Sequence, residues 1–577
     1  MKNSIKLILG MVLLFSCNES PKEFRKIKVS DYVDKMKAGW VGQMVGVGWG
    51  GPTEFQWQGE IMPADKMPEW RPSMVNQFGQ DDIYVEMTFL RTLEQYGFNV
   101  DIRQAGIDFA NSKYMLWHAN RAGRDNLRAG IAPPYSGHPA YNSHADDIDY
   151  QIEADYAGLI SPGLPQMAID LGKVFGRLMN YGDGLYGGQF VAGMYAEAFF
   201  ESDIEKIIKA GLACIPEKSQ YYEAVTDVLN WYQEYPLDWQ KTWGRIEAKY
   251  QDNPEYRKFS CSGAQSDFNI DAKINGAYIV MGLLYGEGDP DQTVIISTRC
   301  GQDSDCNPSN AAGILFTTLG FSNLDDKFTG AIDPEPKFSY TDYNFPGLIQ
   351  VCETLARQAV VRSDGRVEID DQGEEWFVIP VQSPQPSRFE QCWDPVPPPE
   401  DVDYTDKEME QIEVRVRKPE EFVHHWEIAG PYQKSNLPGS DLFDVTFPPE
   451  TNEEVEWRKI TLGKDGQSQT VVQFDHIYDK TNAVAYMRTG FQSEKTRPAI
   501  LEIGSDDGVK VWLNEKMMHS LNVQRAVNPG EDKVEVVIQE GWNDLLLKVT
   551  QDGGGWGAVV CITDSDKNAL TDLKYEE

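Results

Sequence analysis

The chain has 577 residues and carries 53 Lys+Arg against 90 Asp+Glu, a net charge of −37. Hydrophobic residues at 41% and aromatics at 11% supply material for several cores, which excludes a disordered or collagen-like chain. Clustered Lys and Arg must meet a phosphate backbone, so this acidic balance excludes nucleic acid as a partner. It also excludes electrostatic adhesion to an anionic membrane, leaving only covalent or apolar attachment.

The first residues, Met1-Lys2-Asn3-Ser4-Ile5-Lys6 followed by an apolar run from Leu7 to Phe15, have the pattern of a signal peptide. The run is too short to span a bilayer, which takes about 20 residues. It ends Leu14-Phe15-Ser16-Cys17, which resembles a bacterial lipobox. The resemblance implies a signal peptide over 1–16 and a lipid on Cys17, followed by a tether over 17–30. The expected address is therefore the cell envelope of a bacterium, with the membrane reached through the lipid alone.

From 31 to 350 the pattern is helical. Ile83, Met87, Leu90 and Leu93 recur at helix spacing, as do Ile204, Ile207, Ile208 and Leu212. The Gly- and Ala-rich stretch from Gly187 to Phe200 suits a buried helix, and another is expected over Ala272 to Tyr285. Asn307-Pro308 reads as an N-cap with Pro at the first helical position, opening a helix to about Leu319. From 351 to 418 the prolines, among them Pro380, Pro384, Pro386, Pro395 and Pro397 to Pro399, mark a linker or wrapped arm. From 419 to 577 the period becomes two, as in Val509, Val511, Leu513 and in Val534, Val536, Ile538, which predicts a β-sandwich. Cys214, Cys261, Cys300, Cys306, Cys352, Cys392 and Cys561 show no zinc spacing; Cys300 and Cys306 are close enough in sequence to pair.

Two acidic clusters frame the helical segment: Gly79-Gln80-Asp81-Asp82 at the start of one helix, and Gly301-Gln302-Asp303-Ser304-Asp305-Cys306-Asn307 before another. Acids at a helix start serve capping and the dipole. Four convergent carboxylates, however, cannot all stay ionised without a cation, and oxygen ligands favour Mg2+, Mn2+ or Ca2+. The second cluster opens like an EF-hand but has Pro308 at the position that needs Gly and Ile314 at the position that needs Glu.

Together the clusters resemble the ADP-ribosylglycohydrolase family. Its Thr-Asp-Asp motif matches at Asp81 and Asp82, and its Asp-x-Asp-Thr motif at Asp303 and Asp305. Its Gly-rich first helix and following loop match at Gly42, Gly46, Gly50-Gly51-Pro52 and Glu54-Phe55. The resemblance covers about residues 30–330. It implies an all-α fold and a centre of one or two Mg2+ or Mn2+ ions. Gln80, Asp81, Asp82, Asp303, Asp305 and Cys306 fall at the ligand positions, and Glu54, Asp81 and Asp303 at positions serving the chemistry. Gln80 and Cys306 replace the family's two threonines, which leaves the choice between one ion and two open. Asn180, Tyr181, Gly182 and Asp183 fall on the family's substrate-side loop, or form a tight turn.

The stretch His118–Glu153 reads as a functional loop, in which His144 beside Asp146 is either a metal or acid/base group or a solvated surface residue. Trp49, Trp57, Trp70 and Trp117 form either a sugar-stacking wall or ordinary core. The segments around Trp426, Leu501–Asn514 and Gly541–Val549 resemble jelly-roll accessory domains of the PA14 and galactose-binding kind. There Asp506 and Asp507 hold Ca2+ or sugar, or simply form an Asp-Gly hairpin turn. The expected function is divalent-metal-dependent hydrolysis of a glycosidic bond in an extracytoplasmic glycan, glycoside or ribosyl compound. Two alternatives stand beside it: hydrolysis of ADP-ribosyl-protein, and glycan binding without catalysis.

Overall fold

A computed structural model of the chain describes residues 23–575 except 415, 416, 418, 436, 452, 465–467, 479, 526 and 566. The leader, Cys17 and the tether up to residue 22 lie outside the described residues. The chain divides into two units between Arg415 and Val416.

The first unit is built around the helix Val29–Gly50, buried along nearly its whole length from Tyr32 onward. Its glycines explain why a helix so rich in a poor helix former persists. Gly42, Gly46 and Gly50, four residues apart, lie on one face, and that face meets the turn and helix around 304–313 backbone to backbone. A Cβ would lie 2.4 Å from the Ala312 oxygen at Gly42, 2.3 Å from the Pro308 carbonyl at Gly46 and 2.0 Å from the Ser304 oxygen at Gly50. The glycine stripe therefore sets how closely the end of the first helix approaches the second acidic cluster.

The helical periodicities appear as helices at Asp81–Tyr96, Asp183–Ala198, Ile204–Leu212 and Ala272–Tyr285. The Ile204–Leu212 helix is capped by the Asp203 carboxylate, which accepts from the Lys206 N–H. The helix expected from Asn307 begins instead at Cys306, with Asp305 at its N-cap. Asn307 is a buried helical residue whose Nδ2 donates to Asn275 Oδ1 at 2.9 Å. The preceding turn holds Gly301 and Gln302 at φ of +84° and +56° and starts the helix earlier than Pro308 alone suggests.

The boundaries differ from expectation at both ends of this unit. The helix Phe345–Arg362 runs through position 350 and buries Val351, Cys352, Leu355, Ala356 and Ala359 in the main core. Part of the expected tether forms a strand, β1 (Phe24–Lys28). It pairs antiparallel with β3 (Glu375–Pro380), which also pairs with β2 (Arg366–Ile369). Beyond Pro380 the Pro-rich arm lies on the helical body. Tyr186 Oη donates to the Arg388 carbonyl at 2.7 Å, Arg177 pairs with Glu390 at 2.8 Å, and the Ala132 N–H donates to the Val402 carbonyl at 2.9 Å. The segment 351–414 thus belongs to the first unit.

The second unit is β-rich and entirely antiparallel. One sheet has the order β10-β9-β12-β7-β4-β5, with β14 also on β7, and the other β11-β8-β13-β6. The strands are β4 (His425–Tyr432), β5 (Arg458–Thr461), β6 (Val472–Gln473), β7 (Ala483–Ser493), β8 (Arg497–Asp506), β9 (Val509–Leu513), β10 (Lys516–Leu521), β11 (Asp532–Ile538), β12 (Gly541–Gln551), β13 (Gly557–Thr563) and β14 (Lys574–Tyr575). Alternation holds in β11, where Val534, Val536 and Ile538 are buried and their neighbours exposed. These residues join Ile428, Met487, Leu501, Val511, Leu547 and Val560 in one core. Asp506-Asp507-Gly508 does not make a hairpin, because β8 and β9 lie in different sheets. The seven described cysteines after Cys17, Cys300 and Cys306 included, are free thiols.

Candidate metal centre

Three local devices bring the two acidic clusters together. The Asp81–Tyr96 helix begins with both aspartates in its first turn, and its N-cap, Gln80, makes no side-chain cap bond. Gln80 Nε2 instead donates across to Asp305 Oδ2 at 3.1 Å. On the other side, Thr53 Oγ1 donates to the Gly50 carbonyl at 2.7 Å and lies 2.9 Å from Ser304 Oγ. The Phe55 N–H donates to the Gln302 carbonyl at 3.1 Å, so Glu54 sits between two ties to the Asp303 turn. Gln302 in turn accepts from the Asn269 N–H and donates to the Asp267 carbonyl, which fixes the loop before the Ala272–Tyr285 helix.

The result is a compact acidic centre. Ligand atoms of Asp82, Asp305 and Cys306 lie within 4.8 Å of one another, and so do those of Glu54, Asp303 and Asp305. Asp82, Asp303 and Asp305 are 0, 3 and 2% exposed. Glu54 stands open to solvent at the mouth. Asp81 flanks the group, its carboxylate taking N–H groups of its own helix turn; for Asp81 the capping role therefore holds as well. For Asp82 it does not. Its Oδ1 is buried without a hydrogen-bond partner, and its Oδ2 accepts only the Cys306 thiol, at 3.5 Å.

Burial and mutual repulsion push these acids upward. Burial raises Asp303 to about 7, and Glu54 and Asp82 add to the shift. Burial also raises Asp81 to about 6. Asp82 and Asp305 go well above the usual range, first through burial and then through neighbouring aspartates. Glu54 rises to about 8 through its partial removal from water, then through Asp305 and Asp81. The Cys306 thiol, pushed up by burial and then by Asp303, Asp305 and Asp82, remains a neutral S–H. An oxygen-rich set with an unanswered buried Oδ1 fits a hard divalent cation.

The other candidate residues lie in the following surroundings. Asn180, Tyr181, Gly182 and Asp183 are all buried. Asn180 braces backbone: its Oδ1 accepts from the Tyr150 N–H and its Nδ2 donates to the Ala145 and Asp147 carbonyls. Tyr181 Oη accepts from the Val396 N–H of the arm. Gly182, at φ +54°, is covered by Glu390 and Cys392. The arm, expected as either a linker or a wrapped arm, is wrapped and closes this face. Asp183 lies in the field of Lys273, which Asp146 and Asp271 hold at 3.2 and 3.1 Å. His118–Arg128 is a helix rather than a loop, and His144 Nδ1 bonds Asp147 Oδ2 at 2.7 Å rather than Asp146. Trp49 and Trp70 pack on each other at 5.4 Å, and Trp70 packs on Phe328, so no wall of four tryptophans forms. Asp507 spends its carboxylate on the Arg525 and Asp552 N–H groups, which braces loops of the β-rich unit.

Sequence reasoning missed the acids behind the centre. Asp155 accepts from Tyr195 Oη and Asn310 Nδ2, Glu86 from Gln43 Nε2 and the Tyr156 N–H, and Glu153 from Asn120 Nδ2. The signal for Glu153 and Asp155 was the run Asp149-Tyr150-Gln151-Ile152-Glu153-Ala154-Asp155, in which acids are interspersed with core-type residues; Glu86 lies on the Asp81–Tyr96 helix. The β-rich unit carries its own groove, of about 680 Å3, lined by Trp426, Trp457, Trp512, Glu427, Arg488 and Glu515 among others. Among the described residues no helix is long and apolar enough to cross a membrane.

The ADP-ribosylglycohydrolase family model matches residues 28–362. No curated protein matches the chain. Among solved structures, an "ADP-ribosylglycohydrolase-related protein complex" is 14% identical, covering 57% of this chain and 99% of that one, with a TM-score of 0.37. The PA14 domain of the MpAFP antifreeze protein is 11% identical over 26% of this chain and 89% of that one, with a TM-score of 0.18. A β-glucosidase from Kluyveromyces marxianus in complex with glucose is 7% identical over 24% of this chain and 16% of that one, with a TM-score of 0.17. With a family model spanning more than half of its length, the chain belongs to the ADP-ribosylglycohydrolase family, a family of hydrolases.

Proposed function

We propose that the protein is a divalent-metal-dependent hydrolase of a glycosidic bond, acting on an extracytoplasmic glycan, glycoside or ribosyl compound. The observation that carries this reading is the meeting of buried Asp82, Asp303 and Asp305 with the more exposed Glu54, in two groups joined through Asp305, where the charges acting most strongly on them are one another's. Asp81, Asp82, Asp303 and Asp305 would hold Mg2+ or Mn2+, as one ion or two. When bound, the ion supplies a Lewis acid that orients sugar hydroxyls and lowers the pKa of water. Glu54 stands at the open side and is the group placed to take a proton from a water directed at the anomeric carbon. The carboxylates around it would favour the positive charge that develops on the departing sugar. Lipid on Cys17 would hold the enzyme at the envelope, which favours a glycan or glycoside over ADP-ribosyl-protein as substrate.

The groove of the β-rich unit supports a second reading, a surface protein that binds glycan without cleaving it. Its aromatic and charged lining suits a sugar, and Ca2+ at Asp506 is a further element of that reading. A hydrolysis screen on glycosides and ADP-ribosyl conjugates, run after chelation and with Mg2+ or Mn2+ restored, separates the two. Turnover that returns with the metal supports the hydrolase. Full turnover in the chelated protein would overturn its metal dependence, and calorimetric glycan binding with no released sugar would favour the second reading.

A further inference from the structure

A second cluster with ligand character lies outside the acidic centre. Ligand atoms of His118, His144, Asp147 and Cys261 lie within 4.8 Å of one another. They come from three separate pieces of chain: the first residue of the His118–Arg128 helix, the turn before Asp149, and the irregular stretch 257–270. Each piece is fixed. The Asp149 carboxylate accepts from the Ala119 and Asn120 N–H groups, anchoring the helix start that carries His118. Asn142 Oδ1 accepts from the His144 N–H. The Arg257 guanidinium, almost fully buried, donates to Ser260 Oγ, Ser262 Oγ and the Ser266 and Phe268 carbonyls. The two serines it holds flank Cys261, so the thiol is presented by an organised loop.

The cluster is also left unfinished. The Asp147 side chain is 0% exposed, yet its Oδ1 has no hydrogen-bond partner. His118 Nδ1 is likewise buried without a partner, and stands 3.6 Å from Asp147 Oδ2. His118 holds a φ of +40°, a region in which a side chain other than Gly is uncommon. Its ring stacks on Phe268 at 5.8 Å, and Phe268 meets Phe55 edge-on at 5.1 Å. The cluster therefore neighbours the loop of Glu54 at the mouth of the acidic centre.

We propose that His118, His144, Asp147 and Cys261 form a second metal site, selective for a borderline divalent ion such as Zn2+ rather than for Mg2+. Two imidazoles, a thiolate and a carboxylate make a four-ligand tetrahedral set. Soft sulfur and imidazole nitrogen discriminate against Mg2+ and Ca2+. Zinc bonds of about 2.0–2.3 Å place tetrahedral ligands roughly 3.3–3.8 Å apart, so separations of at most 4.8 Å close by about 1.5 Å or less on the ion. The ion takes up an Asp147 oxygen and the unpartnered His118 nitrogen, and binding releases to solvent the protons that burial keeps on Cys261 and Asp147. It would fasten the 257–270 loop, with Phe268, to the mouth of the acidic centre. The site is independent of the reading given to that centre.

The test uses Co2+ as a probe on the full chain already saturated with Mg2+, so that the acidic centre is filled. One equivalent of Co2+ should give tetrahedral visible bands and a near-ultraviolet thiolate-to-cobalt band, and Zn2+ should bleach both. Cys261→Ser should remove the thiolate band and weaken Zn2+ binding by at least about tenfold. His144→Ala should weaken binding to a similar degree. Cys306→Ser should leave the band intact. Each variant is checked for an unchanged unfolding transition of the metal-free protein. A band lost in Cys306→Ser and kept in Cys261→Ser would overturn the proposal by placing the ion in the acidic centre. Absence of any thiolate band would overturn it outright.

Discussion

Asp303→Asn tests the acidic centre through an effect of unusual sign. Asp303 is 3% exposed, and burial raises its carboxyl from 3.8 to about 7. Holding it ionised above pH 7 in the metal-free protein therefore costs about 4 kcal/mol, at about 1.4 kcal/mol for each tenfold change in proton binding. The unfolded chain ionises near 3.8 and the folded chain near 7. Between these values the folded state binds more protons, so metal-free stability falls as pH rises and levels off above 7. About 3 kcal/mol of the loss lies between pH 5 and 8. For a unit of about 400 residues the unfolding entropy is about 0.8 kcal/mol/K, so 4 kcal/mol corresponds to about 5 °C in Tm. The metal-free variant should thus melt about 5 °C above the metal-free wild type at pH 8, and no higher than it at pH 4. Saturating Mg2+ or Mn2+ should raise the wild type at pH 8 and leave the variant nearly unmoved. Differential scanning calorimetry of chelated and metal-loaded protein reads both effects on the transition of the first unit. A variant less stable than wild type at pH 8 in chelator, or one that keeps the full metal-induced rise, would refute the reasoning.

Other consequences are equally direct. Glu54→Gln should lower turnover of any glycoside found in the screen by about 100-fold or more, with the metal-induced rise in Tm preserved; loss of that rise would make Glu54 a ligand instead. Cys306→Thr restores a hydroxyl where a neutral thiol now faces Asp82 and Asp305, and calorimetry should show tighter Mg2+ binding than in the wild type. Gly46→Ala, whose Cβ would meet the Pro308 carbonyl at 2.3 Å, should cost at least about 2 kcal/mol and weaken Mg2+ binding as the first helix is pushed off the Asp303 turn; an unchanged denaturation midpoint would contradict that packing. Cys17→Ala should move the protein from the membrane fraction to the soluble fraction and abolish incorporation of labelled fatty acid, whereas continued labelling would exclude Cys17 as the modified residue.

The parts of the molecule legible in sequence were those where one residue type has one dominant use. Acids at two helix starts and alternating Val and Ile pointed to the acidic clusters and the strands, and the resemblance at Gly42, Gly46 and Gly50 pointed to the first helix. What remained hidden depends on contacts distant in sequence. The role of Asn180 is set by carbonyls 33 and 35 residues away, and nothing local separates a bracing amide from a substrate-binding one. The prolines left a linker and a wrapped arm both open, and the choice is made by Tyr186 and Arg177, distant in sequence, which hold the arm against the helical body. The partner of His144 was misassigned by one residue. In the turn it is Asp147 that points toward the histidine, while Asp146 is drawn to Lys273 127 residues on.

The way the fold answers its buried acids separates structure from function. Asp146 and Asp271 are answered by Lys273, whose charge they and Asp183 sustain against burial. Asp155 and Glu86 have donors on both oxygens. These acids act as braces, and the chain itself meets their cost of burial. Asp82 and Asp147 each keep a buried oxygen with no partner, as Asp146, Asp183, Asp271 and Glu153 also do, but of these six only Asp82 and Asp147 stand in a group of converging ligand atoms. Asp82 stands with Asp305 and Cys306, beside Glu54 and Asp303, and Asp147 with His118, His144 and Cys261. Leaving both open, each inside a group of converging ligand atoms, is the arrangement expected where cations rather than side chains complete the charge balance. Part of the net charge of −37 then sits in two clusters where, on the proposals made for them, bound cations would offset it.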